Sequence, residues 1–200
     1  MNRSGHRHEL TYDLIQRAVH GDPEAIRRRA RKRLGERLNK RKEVSNMSET
    51  GKRLEALGIE LPVRDRKGKG VVDASIVGDV MYLSAQLPVD ENGQPVYVGK
   101  VGADLDLDTA YKAARLCGLN ALAVLKDYVG ELDRVDHVIK VLGLVNSAGD
   151  FSSQPAVING FSDLMVEVFG YRGQHARSAM GAYALPMNVP VVVEMIVKLR

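Results

Sequence analysis

An α+β fold, with two long helices laid on one face of a mixed sheet, is what this sequence predicts, and three observations predict it. At least five runs have strand-like composition, two longer segments repeat apolar residues at helical spacing, and the elements follow one another as β-β-α-β-α-β-β. Each helix has an apolar stripe to bury, and one face of a sheet can bury both. The chain has 200 residues, 44% of them hydrophobic, which suffices for one substantial core.

The elements can be justified in order. Ser48 or Thr50 caps a short helix through KRLEALG, which Gly58 ends, and ELPVRDRKGKG follows as a polar connector. Two strand-like runs, VVDASIV and VMYLSAQ, flank Gly78 and Asp79, a pair suited to a tight hairpin. The first long helix lies in DLDTAYKAARLCGLNALAVLKDYVG, with Asp108 as its N-cap and a stripe of Ala110, Ala114, Cys117, Ala121, Leu125 and Tyr128. A third strand, DHVIKVLGLV, precedes a second helix from about Ser153 to Phe169. There Pro155 falls in the first turn, Ile158, Phe161, Met165 and Val168 form the stripe, and Gly170 ends the helix. Two final strands, ARSAMGAYA and VPVVVEMIV, are joined by LPMN. The sheet face away from the helices remains apolar, since VVV, VLGLV and VMYL alternate little, so self-association of subunits is expected.

Charge divides the chain. Residues 1–46 hold 13 Lys and Arg against 6 Asp and Glu, whereas residues 47–200 hold 16 against 19. A basic N-terminal extension, 1–46, partly helical or disordered, is therefore expected ahead of one domain, 47–200. Within the extension Asp22 and Pro23 suit a helix start, and RRRARKR is basic enough to attract nucleic acid. No aromatic residue interleaves with that run, so a solvated segment is the simpler reading, and any nucleic-acid partner would act through residues 1–46 alone. A further reading makes Met47 the original start and the preceding residues an upstream extension.

The start MNRSGHRHELTYDL lacks the apolar core of a signal peptide, and VPVVVEMIV is too short to span a bilayer, so a soluble cytoplasmic protein without membrane partners is expected. The single cysteine, Cys117, has no partner for an internal disulfide and reads as core packing in a reducing compartment. The signatures of nucleotide hydrolysis, serine esterases and zinc enzymes are missing: there is no GxxxxGK[ST], GxSxG, HExxH or CxxC. His6 and His8 form an incidental HxH pair, and His137 and His175 stand alone in sequence; neither a metal nor another cofactor is expected.

Two segments say more. MYLSAQLP ends a strand at Ser84 and turns through Ala85 and Gln86, and HARSAMGAYALP is followed shortly by VEMIV. With GKVGADLD after the hairpin and DRVDHVIKVLGLV before the second helix, these resemble the RidA (YjgF, endoribonuclease L-PSP) family over about residues 58–200. The extra length of VINGFSDLMVEVFG is similar to a subgroup that begins with a short helix ending GIELP. The resemblance implies a chorismate-mutase-like fold, a homotrimer and a cleft between neighbouring subunits. It also implies that the ARS arginine, Arg177, binds a ligand carboxylate, with Ser84 and the backbone amides at Ala85 and Ala179 assisting. Physically, a guanidinium is a planar fork that pairs bidentately with a carboxylate. Its structural alternative is an internal ion pair.

The activity implied is hydrolysis of enamines and imines to 2-oxo acids and ammonia, chemistry that needs a carboxylate anchor, a polarised water and a proton donor or acceptor. Active members of the family usually carry a tyrosine thirteen residues before the serine and a glutamate two before the final-strand glutamate; here these positions are Val71 and Val192. Glu194 remains as a catalytic candidate, on the same strand face as Val192 and roughly 7 Å along it. The expected function is binding of a small 2-imino or 2-oxo acid with weak or altered deaminase activity. The alternatives are nucleic-acid or translation-associated binding through the basic extension and a non-catalytic trimeric scaffold.

Overall fold

The computed structural model describes residues 31–32, 47–63 and 70–200. The expectation for the basic extension falls almost wholly outside them. Helix α1, Glu49–Ala56, opens on Ser48, whose hydroxyl accepts the Gly51 N–H at 3.1 Å. A second cap comes from far along the chain: Asp133 accepts the Glu49 and Thr50 N–H groups at 2.8 and 3.0 Å and also the Thr50 hydroxyl. These bonds satisfy amides that a helix start leaves open.

Strands β1, Ala74–Val77, and β2, Val80–Gln86, form the expected hairpin, with Val77 opposite Val80 and Gly78 at φ 63 in its turn. Helix α2, Leu107–Val129, begins two residues earlier than the sequence suggested. Its N-cap is Asp106, whose carboxylate accepts the Thr109 N–H at 2.8 Å, while Asp108 lies in the first turn and pairs with Lys112. The expected stripe is buried except at its end. Tyr128 is 42% exposed and uses its hydroxyl to accept the Ala74 N–H at 3.3 Å. Strand β3, Val135–Asn146, leads to helix α3, Gln154–Phe169, in which Ile158, Phe161, Met165 and Val168 are fully buried and Gly170 is the C-cap. Strands β4, Ala176–Ala182, and β5, Val191–Leu199, close the chain.

The five strands lie in the order β1-β2-β5-β3-β4, antiparallel except for β3 and β4. That parallel pair needs a crossover, and α3 provides it. Alternation then assigns the faces. Val191, Val193, Met195, Val197 and Leu199 of β5 are buried, with Met81, Leu83, Val141 and Val145 beside them, in one core with the stripes of α2 and α3. Two glycines set how closely these layers approach. A Cβ at Gly160 would strike the backbone carbonyl of Tyr111 on α2, and one at Gly143 would strike the Ile158 side chain on α3. The opposite face carries Tyr82, Leu142, Leu144, Val192, Ile196 and Met180, and among the described residues no helix or further sheet is layered upon it. Among the described residues, no helix is long and apolar enough to cross a membrane.

Candidate functional site

Arg177 sits on β4, the edge strand that α3 delivers beside β3. It pairs with Val141, so its side chain takes the helix-covered face and meets α3 at the sheet margin. There its Nη1 donates to Asn159 Oδ1 at 2.8 Å and to Ser162 Oγ at 3.1 Å. Asn159 and Ser162 are three apart on the helix and so share a side of it. Both acceptors are neutral. Among the described residues Arg177 has no carboxylate partner, and no hydrogen bond is made by its Nη2 or Nε. The half-buried guanidinium is thus held by one nitrogen, with the fork made by the other two left for an incoming acceptor.

The hydrogen bonds continue past Ser162. Its Oγ lies 2.9 Å from His175 Nε2, and His175 Nδ1 lies 2.6 Å from the Gly173 carbonyl. A carbonyl only accepts, so Nδ1 carries the proton, Nε2 of the neutral ring accepts, and the Ser162 hydroxyl donates to it. Burial pushes His175 below the usual histidine range. Its bond to Gly173 opposes this, and the charges of Arg177 and Lys140 add to it. Sequence reasoning had left His175 without a partner, because Ser162 reaches it only through the crossover that lays α3 against β4.

The other expected site residues lie elsewhere. Ser84 follows the helix-facing Leu83 on β2 and therefore takes the opposite face, where its hydroxyl donates to the Val72 carbonyl at 2.6 Å. Ala85 is exposed within an irregularity of the ladder between Leu83 and Gln86. Ala179 is half-buried opposite Gly143, on the face of Arg177. Glu194 is exposed on β5, opposite Leu142, on the same face as Val192 and Ser84. The fold thus gathers Ser84 and Glu194 on one face and Arg177 and Ala179 on the other. Since β5 and β3 intervene between β2 and β4, Ser84 and Arg177 are about 14 Å apart across the sheet.

Of the positions that usually supply acid–base groups in the resembled family, Val71 is 75% exposed and Val192 is buried at 6%. Cys117 is fully buried, and burial pushes its thiol well above the ordinary value, which removes the reactive thiolate. His137 is exposed and paired with Asp136 at 2.9 Å. Among the described residues, no group of three or more His, Cys, Asp or Glu is placed to hold a metal.

Comparison with known proteins gives a consistent picture. The family model described as "YjgF/chorismate_mutase-like, putative endoribonuclease" matches residues 51–199. Protein TCP17 of Trypanosoma cruzi is 37% identical over 148 residues, which cover 74% of this chain and 92% of that one. The crystal structure of Atu1372, an Agrobacterium tumefaciens protein of unknown function, superposes with a TM-score of 0.69 at 39% identity, covering 76% of this chain and 94% of that one. A "putative endoribonuclease" of Shewanella oneidensis MR-1 superposes with a TM-score of 0.72 at 34% identity, covering 76% and 100%. With the mixed five-stranded sheet, the two long helices and the ARS and SAQLP segments in place, the chain belongs to the YjgF, or endoribonuclease L-PSP, family.

Proposed function

We propose that this protein binds a small 2-imino or 2-oxo acid by its carboxylate at Arg177, in a cleft completed by a neighbouring subunit of a homotrimer. The observation that carries the reading is the state of the guanidinium: half-buried, seated on the neutral oxygens of Asn159 and Ser162, and without a carboxylate among the described residues. A buried or half-buried cation left so is costly unless an anion arrives. The Nε and Nη2 edge is the one a carboxylate would engage with two parallel bonds.

Topology supports the cleft. Ser84 and Ala85 lie on β2 and Arg177 on β4, on opposite faces and about 14 Å apart, too far to hold one small molecule within a chain. A second copy, packed through the apolar sheet face away from the helices, supplies the Ser84 side of the cleft to the Arg177 side of its neighbour. That packing would also cover Tyr82, which is 48% exposed, and Met180, which is 51% exposed.

The chemistry proposed is binding with weak or altered imine hydrolysis. Water adds to the imine carbon, the nitrogen takes a proton, and the adduct collapses to the 2-oxo acid and ammonia. Both usual acid–base positions are valine here, which leaves Glu194 as the carboxylate on the face of Ser84. Binding of 2-oxobutyrate, measured by calorimetry on wild type and Arg177→Gln, tests the anchor. Equal affinity in the two proteins refutes it. Release of ammonia from 2-iminobutyrate, generated in place by an amino-acid oxidase, tests catalysis, and light scattering tests the trimer.

A further inference from the structure

The chain of bonds that ends at His175 has a direction, and the direction has a consequence for Arg177. Because the Gly173 carbonyl fixes the proton on Nδ1, Ser162 must commit its own proton to Nε2, and the lone pairs of its oxygen are then left for Arg177 Nη1. Asn159 takes the other N–H of the same nitrogen, so the planar guanidinium is fixed in rotation with its Nε and Nη2 edge presented. We propose that His175 and Ser162 are positioning residues for Arg177, and that through them carboxylate affinity at this site depends on pH. This rests on the reading of Arg177 given above.

When His175 takes a second proton, Nε2 becomes a donor. Two donors, from Arg177 and His175, then converge on the Ser162 oxygen, whose own hydrogen must turn away. The new imidazolium, just ahead of β4, also faces one cation on that strand, Arg177, and another on β3, Lys140. From α3 it meets only the neutral Ser162, because Asp163 and Glu167 are turned to Tyr111 and Arg115 of α2. Nothing nearby among the described residues offsets this repulsion, so the free protein holds His175 neutral at physiological pH. A carboxylate seated on Arg177 neutralises the field that His175 feels. The bound form therefore takes up a proton at a higher pH than the free form. By reciprocity, affinity rises as pH falls through the interval between the two and is level outside it.

The experiment uses the full-length protein and 2-oxobutyrate, whose carboxylate stays ionised throughout. Calorimetric titrations run from about pH 8 to about pH 5.5, on either side of the ordinary histidine value. Wild type is expected to bind several-fold more tightly at the acid end, and His175→Gln to bind with a flat profile. A flat wild-type profile, or an unchanged slope in His175→Gln, overturns the proposal. If that variant does not fold, wild type titrated in two buffers of different ionisation enthalpy decides: the same heat in both means no proton is taken up and the inference is wrong. Ser162→Ala is expected to weaken binding across the range and Ser162→Thr to restore it, and wild-type affinity in Ser162→Ala removes the positioning role. Arg177→Gln separates the two claims. Loss of binding there with a flat wild-type profile sinks only the pH coupling, whereas wild-type binding there sinks the carboxylate anchor.

Discussion

Asp133→Ala should loosen helix α1 before anything else. The carboxylate caps that helix from 83 and 84 residues away, through the Thr50 and Glu49 amides, and takes the Thr50 hydroxyl as well. It also faces Arg172 at 3.6 Å, a guanidinium 8% exposed that donates to the Val135 carbonyl and to Thr50. Losing a helix cap costs about 1 kcal/mol. Leaving Arg172 without its carboxylate costs about 1 kcal/mol more, a figure kept low because Asp133 is 30% exposed and water screens the pair. The sum, about 2 kcal/mol, corresponds to a fall in Tm of roughly 4–8 °C for a domain of this size. Far-UV circular dichroism is the probe, since the chain has no tryptophan, and hydrogen exchange across residues 49–56 should report faster opening than across α2. The pH dependence has a definite sign. Burial alone would raise the Asp133 pKa, but the bonds from Thr50 and Glu49 and the charge of Arg172 outweigh it and hold the carboxyl below 3.8. The stabilisation is therefore present above that value and is lost as pH falls through the lowered one. A variant with wild-type Tm and unchanged exchange in α1 would refute this account of how the helix is held.

Gly160→Ala drives a methyl group into the Tyr111 carbonyl, so helices α2 and α3 must separate; a loss of about 1–3 kcal/mol or more in urea unfolding is expected. Asp106→Ala should lower Tm more than Asp108→Ala, because only Asp106 caps α2 while Asp108 makes an exposed pair with Lys112. Cys117 should resist thiol reagents in the native protein and react only as fast as the fold opens, since its sulfur is fully buried beside the Val191 carbonyl. Rapid labelling of the folded protein would contradict the packing described.

What the sequence could disclose, and what it could not, follows from the range of the interactions. The stripe Ile158, Phe161, Met165, Val168 and the turn at Gly78 and Asp79 are local patterns, and both elements formed where those patterns lie. The cap of α2 was misplaced by two residues because Asp106 and Asp108 both precede the apolar stripe, and only backbone geometry decides between them. Tyr128 has helical spacing but an amphipathic ring, and its hydroxyl is drawn to the Ala74 amide at the surface. The sheet order joins strands distant in sequence, which periodicity does not encode. The candidate site divides in the same way. Arg177 stands out because it lies in a recognisable motif. Its seat on Asn159 and Ser162, and the attachment of Ser162 to His175, depend on the crossover that sets α3 against β4.

Helix α3 bears two duties on one cylinder. Its inner side is packed to the limit against α2 and β3, where Gly160 and Gly143 leave no slack, and its margin supplies both oxygens that aim Arg177. Any shift of the helix that relieves crowding inside must swing those oxygens outside. On the function proposed for Arg177, ligand affinity is then a strain gauge for the interior, and mutations far from solvent should register as weakened recognition well before the protein melts.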